Sequence, residues 1–163
     1  MKRKKVLDFA AYIRERYANE NNNETVDEMK IHKLLYFAQR ESFIRFNRPL
    51  FNSDFHAWKY GPVLHEVRTA YKEETILTIK PLSLTQNQLI VMDYVFKQYS
   101  QKNSWSLSRL THGEYSWKHA REGYSEDENS DEIMLLEDIK KDAKRQLERR
   151  NNLRKLGVLE KNY

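Results

Sequence analysis

The sequence predicts a mainly α fold: a compact single helical domain with a small two-stranded β element at about 55–60 and 75–80 and a long basic C-terminal helix. Three observations carry this reading. Four Gly and three Pro in 163 residues are too few for a hairpin-rich barrel or sandwich, whose turns consume them. Apolar residues recur every three to four positions through most of the chain, the helical period. The length suits one domain with one core, spanning 1–163.

Val6, Phe9 or Ala10, Ile13 and Tyr17 form one stripe of a first helix, which stops at the apolar-free run Asn19–Asn23. Thr25-Val26-Asp27-Glu28 reads as a capping box opening a second helix, Asp27 to about Phe46. Its face of Ile31, Leu34, Leu35 and Ala38 is widened by Tyr36, Phe37 and Phe43 until it looks buried on more than one side, which marks a central helix. It must end before Pro49. Phe55 to Tyr60 alternates as an extended segment with Trp58 and Tyr60 on one face, predicted to brace against the central helix, and Lys59 on the other, predicted to meet a partner.

Gly61 then permits a turn and Pro62 presets the start of a third helix, to about Glu73, with Thr75 to Lys80 as a second strand. Ser83 or Thr85 caps a fourth helix to about Gln101 with Leu89, Met92, Val95 or Phe96 and Tyr99 inward. A short helix from Ser104 or Ser106 to His112 stops at Gly113, and Ser116 caps a turn of helix, Trp117 to Arg121. After an acidic loop, Ser130 caps the last helix, Asp131 to about Leu156, with Ile133, Leu136, Ile139, Ala143 and Leu147 as its stripe. Its second half is expected to project or to bind something.

The net charge of +5 sits at the ends. Residues 2–5 carry +4 and residues 140–163 carry +6, leaving the body near −5. The termini could meet nucleic acid or an acidic protein, whereas the body is a poor nucleic-acid surface. Met1-Lys2-Arg3-Lys4-Lys5 resembles the start of a signal peptide, but Asp8 and Arg14 interrupt the apolar residues after it. No window approaches the roughly 18 apolar residues that span a bilayer, so the expectation is a cytoplasmic protein without a membrane partner.

Little chemistry is spelled out. No Cys excludes a disulfide framework, a thiolate zinc site and a cysteine nucleophile. The His residues lack His-Glu-x-x-His spacing, and neither a phosphate-cradling Gly-rich loop nor Gly-x-Ser-x-Gly is present. No metal, cofactor or enzymatic activity is expected. The one dense cluster is Leu110-Thr111-His112-Gly113-Glu114-Tyr115-Ser116-Trp117-Lys118-His119-Ala120-Arg121, from which a hydrolase or transferase using His112 and Glu114 is the weakest of three functional readings.

Three blocks together carry a resemblance: Met29-Lys30-Ile31-His32-Lys33-Leu34-Leu35-Tyr36-Phe37-Ala38-Gln39; Pro49-Leu50-Phe51 with Ala57-Trp58-Lys59-Tyr60-Gly61-Pro62-Val63; and Leu110-Thr111-His112 with Trp117-Lys118 and Ala120-Arg121. In content, order and spacing they resemble the Panacea domain family, which includes SocA-like and phage-associated GepA-like proteins, over about residues 6–139. The resemblance implies a mostly helical antitoxin of bacterial or prophage toxin–antitoxin systems. Such a protein neutralises a cognate protein toxin by direct binding, some members serving as adaptors to a ClpXP-type protease, with no cofactor. His32 stands where the family more often has Gln, and the link Gly113–Ser116 also departs from its pattern.

On this reading Leu34, Leu35, Tyr36, Trp58, Tyr60, Gly61, Pro62, Thr111, His112 and Trp117 hold the scaffold. Lys59, Lys118, Arg121, Lys144, Arg145, Arg149 and Arg150 are the partner-binding candidates, with specificity in the basic extension 140–163. The alternative is a nucleic-acid-binding regulator using the basic termini.

Overall fold

A computed structural model of the chain describes residues 5–81 and 83–159; the basic run Lys2–Lys4 and the last residues of the C-terminal extension lie outside them. The second helix, α2 (Glu28–Phe46), is the axis of the fold. Every residue from Lys30 to Phe43 is buried, because other elements surround it: α1 (Lys5–Glu20), α4 (Gln86–Tyr99), α5 (Ser104–His112), α7 (Leu136–Lys155) and the strand β2 (Gly61–Leu64). The remaining elements are β1 (Phe55–Trp58), α3 (His65–Lys72), α6 (Tyr115–Ala120) and β3 (Ile133–Met134). The helical class and central α2 are as the sequence predicts. No helix among the described residues is long and apolar enough to cross a membrane.

The β element differs from the expectation. It is a three-stranded antiparallel sheet in the order β2-β1-β3, with Trp58 opposite Gly61 and Phe55 opposite both Leu64 and Met134. The stretch expected as a second strand at 75–80 is instead a 3₁₀ turn, Thr75–Thr78, entered through Glu74 at φ +60°. There the Thr78 hydroxyl donates to the Thr75 carbonyl at 2.8 Å, and such local hydroxyl bonds compete with a strand that has no partner. Pro62 lies in β2 rather than opening a helix, and α3 begins at His65. β2 is an edge strand, where the missing N–H of proline is tolerated.

Helix ends also shift. Asp27, not Thr25, caps α2 by accepting from Lys30 N at 2.8 Å, while Glu28 pairs with Arg68. Asn47 at φ +52° closes α2 ahead of Pro49. Thr85 and Gln88 form a complete capping box on α4, and Asn103 caps α5. The amides of Tyr115 and Ser116 at the start of α6 donate to Asp142 of α7 at 2.7 and 3.0 Å. Ser130 does not open the last helix: β3 intervenes and α7 starts at Leu136.

The inward face of α7 is Asp138, Ile139, Asp142, Ala143 and Arg150, whereas Leu136 and Leu147 are exposed. The expected leucine stripe is displaced because α7 docks on polar groups. Asp142 holds α6 and Tyr36, and Arg150 pairs with Glu41 through both guanidinium ends at 2.8 and 2.9 Å. The second half of α7 is thus tied to α2 rather than projecting.

Candidate functional site

The three sequence blocks meet at Gly61. β1 and β2 are joined by the two-residue turn Lys59–Tyr60, after which Gly61 takes φ +123°. A Cβ there would lie 2.9 Å from Thr111 Oγ1 of α5 and 3.2 Å from Lys33 Cε of α2. Only glycine combines that backbone with that approach. The hairpin carbonyls are then gripped from α5, from α6 and from Arg121 just after it. Trp117 Nε1 donates to Trp58 O at 2.9 Å, Ser108 Oγ to Tyr60 O at 2.8 Å, and Arg121 Nη1 to Ala57 O at 3.0 Å. His112 stacks on Trp117 with ring centres 4.1 Å apart. Burial lowers its pKa, helped by Lys33 and Arg121 and opposed by the backbone of Lys59.

Leu34, Leu35, Tyr36, Gly61, Pro62, Thr111 and Trp117 are buried, while Trp58 and Tyr60 are 36% and 47% exposed. The alternation of the strand is real, but its polarity is the reverse of the expectation. Phe55 and Ala57 face inward, Phe55 meeting Tyr36 edge-on at 5.7 Å, and the turn ends the strand before Tyr60. Outward, Trp58 Nε1 donates to Asp131 Oδ1 at 2.8 Å, and Tyr60 packs edge-on to the exposed Trp105 at 5.5 Å. Lys59 is half-buried with its ammonium 5.0 Å from the Tyr60 ring.

The candidate partner cations fall into two groups. Lys118, Lys144, Arg145 and Arg149 are exposed, and Arg145 and Arg149 line, with Arg109, a cavity of about 330 Å³. Arg121 and Arg150 face inward instead. Arg121 is committed to the carbonyls of Ala57, Ser125 and Glu128, and Arg150 to Glu41. The expectation of a surface position rests on the rule that a charged residue near a helix end is usually solvated; here each cation satisfies buried acceptors that sequence does not reveal.

His112 and Glu114 do not form an acid–base pair. His112 lies on Trp117 against the hairpin, whereas Glu114 accepts from Tyr36 OH and Arg40 Nη1, both at 2.7 Å. Burial raises the Glu114 pKa, which Arg40 opposes, and pushes the Tyr36 hydroxyl well above its ordinary value. The arrangement joins α2, α6 and α7 as a brace.

His56, His65 and Asp131 bring three possible metal donors together. The two imidazoles are stacked 3.5 Å apart and nearly parallel, so their in-plane lone pairs do not converge on one point. His56 Nδ1 and His65 Nε2 are bound instead to the backbone oxygen and the carboxylate of Asp131, at 2.8 and 2.7 Å. The indole of Trp58 and the imidazole of His65 hold the Asp131 pKa below its usual value. The cluster pins β3 to the hairpin.

The family model described as "Antitoxin SocA-like, Panacea domain" matches residues 31–118, more than half of the chain. The chain belongs to this family. The matched Panacea segment contains Lys33, the whole hairpin, Ser108, Thr111, His112 and Trp117, while Arg121, α1, β3 and α7 lie outside it. No curated protein and no solved structure matches the chain.

Lys33 stands in the first sequence block but is not among the scaffold or partner-binding candidates. Yet the all-round apolar pattern from Ile31 to Phe37 is a signal that a lysine within it must be buried.

Proposed function

We propose that this Panacea protein is the antitoxin of a bacterial or prophage toxin–antitoxin pair and neutralises its cognate protein toxin by direct binding through the face around the Lys59–Tyr60 turn. The observation that carries this reading is the exposed aromatic and cationic surface on the hairpin: Trp58, Tyr60 and Trp105 stand out of the surface beside Lys59, over a scaffold that lies within the family-matched segment. Aromatic residues exposed on a rigid element are typical binding hot spots. Co-expression with the product of the adjacent open reading frame should restore growth, and the two proteins should co-purify. Unrelieved toxicity together with no complex refutes the reading. Delivery of the toxin to a ClpXP-type protease is a further step of this proposal. It requires the toxin's half-life to shorten in the antitoxin's presence only when the protease is intact.

A second reading, a nucleic-acid-binding regulator, is favoured by the exposed Lys141, Lys144, Arg145 and Arg149 on α7. Such binding falls steeply with salt. No gel shift at low ionic strength eliminates it.

A further inference from the structure

Most of the buried polar side chains of α2 are held at short range. Lys30 donates to Ser100 O at 3.0 Å, and Gln39 accepts from Leu50 N at 2.7 Å and donates to Phe51 O at 3.0 Å. Arg40 meets Glu114, Glu41 meets Arg150, and Ser42 Oγ donates to Arg48 O at 2.7 Å. Lys33 is not. It is 2% exposed, yet among the described residues its ammonium makes one long hydrogen bond, 3.4 Å to Met29 O. An ammonium has three protons to donate, and a buried charge short of acceptors is costly. Burial accordingly lowers the Lys33 pKa to about 8.

Lys33 lines a cavity of about 350 Å³ whose other walls include Met29, Trp58, Tyr60 and Val63. The neighbouring charges compensate it only in part, Asp27 opposing the effect of burial. On α2, both oxygens of Glu28 are taken by Arg68 of α3 at 2.9 Å, and Asp27 is taken by the α2 cap and Ser104. Lys59 on the hairpin adds a second cation to the cavity wall, and His112 of α5 carries a pKa lowered partly by Lys33. His32, also on the wall, accepts from Leu64 N through Nδ1, which leaves its buried Nε2 with Glu28 at 3.5 Å and nothing nearer. An apolar slot thus ends on two buried donors that lack short acceptors.

We propose that this cavity receives the carboxylate of a glutamate or aspartate side chain of the partner protein, which pairs with Lys33 while Trp58 and Tyr60 enclose its methylene stem. The assignment names the partner chemistry of the hairpin face and rests on the toxin-binding reading. A carboxylate supplies the acceptors that Lys33 lacks, as charge-assisted bonds in a partly dry site. It also restores the proton on Lys33, so complex formation above about pH 8 takes up a proton.

The test uses the whole chain and two capped peptides, acetyl-Leu-Glu-Leu-amide and its Gln counterpart, followed through the Gly61 amide and the Trp58 indole N–H by NMR. The Glu peptide should shift both signals and bind about tenfold or more tighter than the Gln peptide, and Lys33→Met should remove that preference while remaining folded. Equal binding of the two peptides, or no shift at Gly61 with either at millimolar concentration, overturns the assignment. So does acetate alone reproducing the full effect, which would make the cavity an anion site rather than a side-chain dock. With the toxin in hand, affinity should weaken from about pH 8 to about pH 9 for the native chain and not for Lys33→Met. Selective Glu-peptide binding without any growth rescue sinks the toxin reading but not the cavity; rescue without selectivity does the reverse.

Discussion

Lys33 and Arg150 are both cations buried against α2, and they differ in what meets them. Arg150 reaches across from α7, pairs with both oxygens of Glu41, and lies 4.4 Å over the Tyr94 ring. Lys33 lies under a glycine and has one long contact to a carbonyl. A buried charge paired through two short bonds is a brace between helices, and removing it strands its partner. A buried charge with incomplete geometry carries a desolvation cost that an incoming acceptor can relieve. Composition counts both simply as positive; the acceptors around them give them opposite roles.

The largest effect expected from breaking this contrast is at Arg150. Arg150→Ala leaves the Glu41 carboxylate buried with the more exposed Arg45 as its remaining ion-pair partner among the described residues, and should cost about 3 kcal/mol in urea unfolding. A loss below about 1 kcal/mol would show that Arg45 alone suffices for Glu41 and that Arg150 is no brace.

Lys33 should behave in the opposite sense. Its native pKa of about 8 lies below the ordinary 10.5. Below about pH 8 both folded and unfolded chains hold the proton and the burial penalty is at its maximum. Between 8 and 10.5 the unfolded chain holds more protons, so stability rises with pH. The full span corresponds to about 3 kcal/mol. Tyr71 and Tyr94, raised to about 12, act oppositely once the unfolded tyrosines ionise near pH 10, so the clean window is about 8 to 9.5. Unfolding midpoints should climb across it in the native chain and stay level in Lys33→Met, which should itself be no less stable at about pH 7. A destabilised Lys33→Met with no pH slope would make Lys33 a brace like Arg150.

How far the sequence is legible depends on the same distinction. Periodicity marks α2 as central because burial on all sides leaves an apolar record at Ile31, Leu34, Leu35 and Phe37. Strand alternation at 55–58 is visible too, but its inward face is not: Ala57 and Trp58 are both apolar, and which one meets α2 is decided by Phe55 packing on Tyr36. The 3₁₀ turn at 75–78 has the composition of a strand, and only the lack of a partner strand makes it otherwise. The family blocks locate the site, whereas the inward course of Arg121 and Arg150 depends on distant acceptors, Ala57 O and Glu41, that no local pattern announces.

An intermediate effect is expected at Trp58. A bracing indole would make its truncation unfold the protein; the exposed indole, bound to an exposed Asp131, predicts a loss of only about 1 kcal/mol for Trp58→Ala. The change should instead appear in binding, since Trp58 forms a wall of the Lys33 cavity. Unfolding of Trp58→Ala at ambient temperature would restore the bracing role and remove Trp58 from the binding face.

The smallest effect on the fold is expected from reversing Lys144, Arg145 and Arg149 together to Glu. All three are exposed, and surface charges of this kind change stability by about 0.5 kcal/mol or less each. Their reach is longer in association: a like-signed stretch at the rim speeds encounter with an acidic partner and is screened by salt. The triple variant should therefore slow association with the toxin at low ionic strength, lose that defect at high salt, and leave dissociation nearly unchanged. Lys33→Met should do the converse, speeding dissociation at any salt. If the triple variant instead speeds dissociation more than Lys33→Met does, the contact that holds the complex together lies along α7, and the hairpin face is the periphery of the interface rather than its centre.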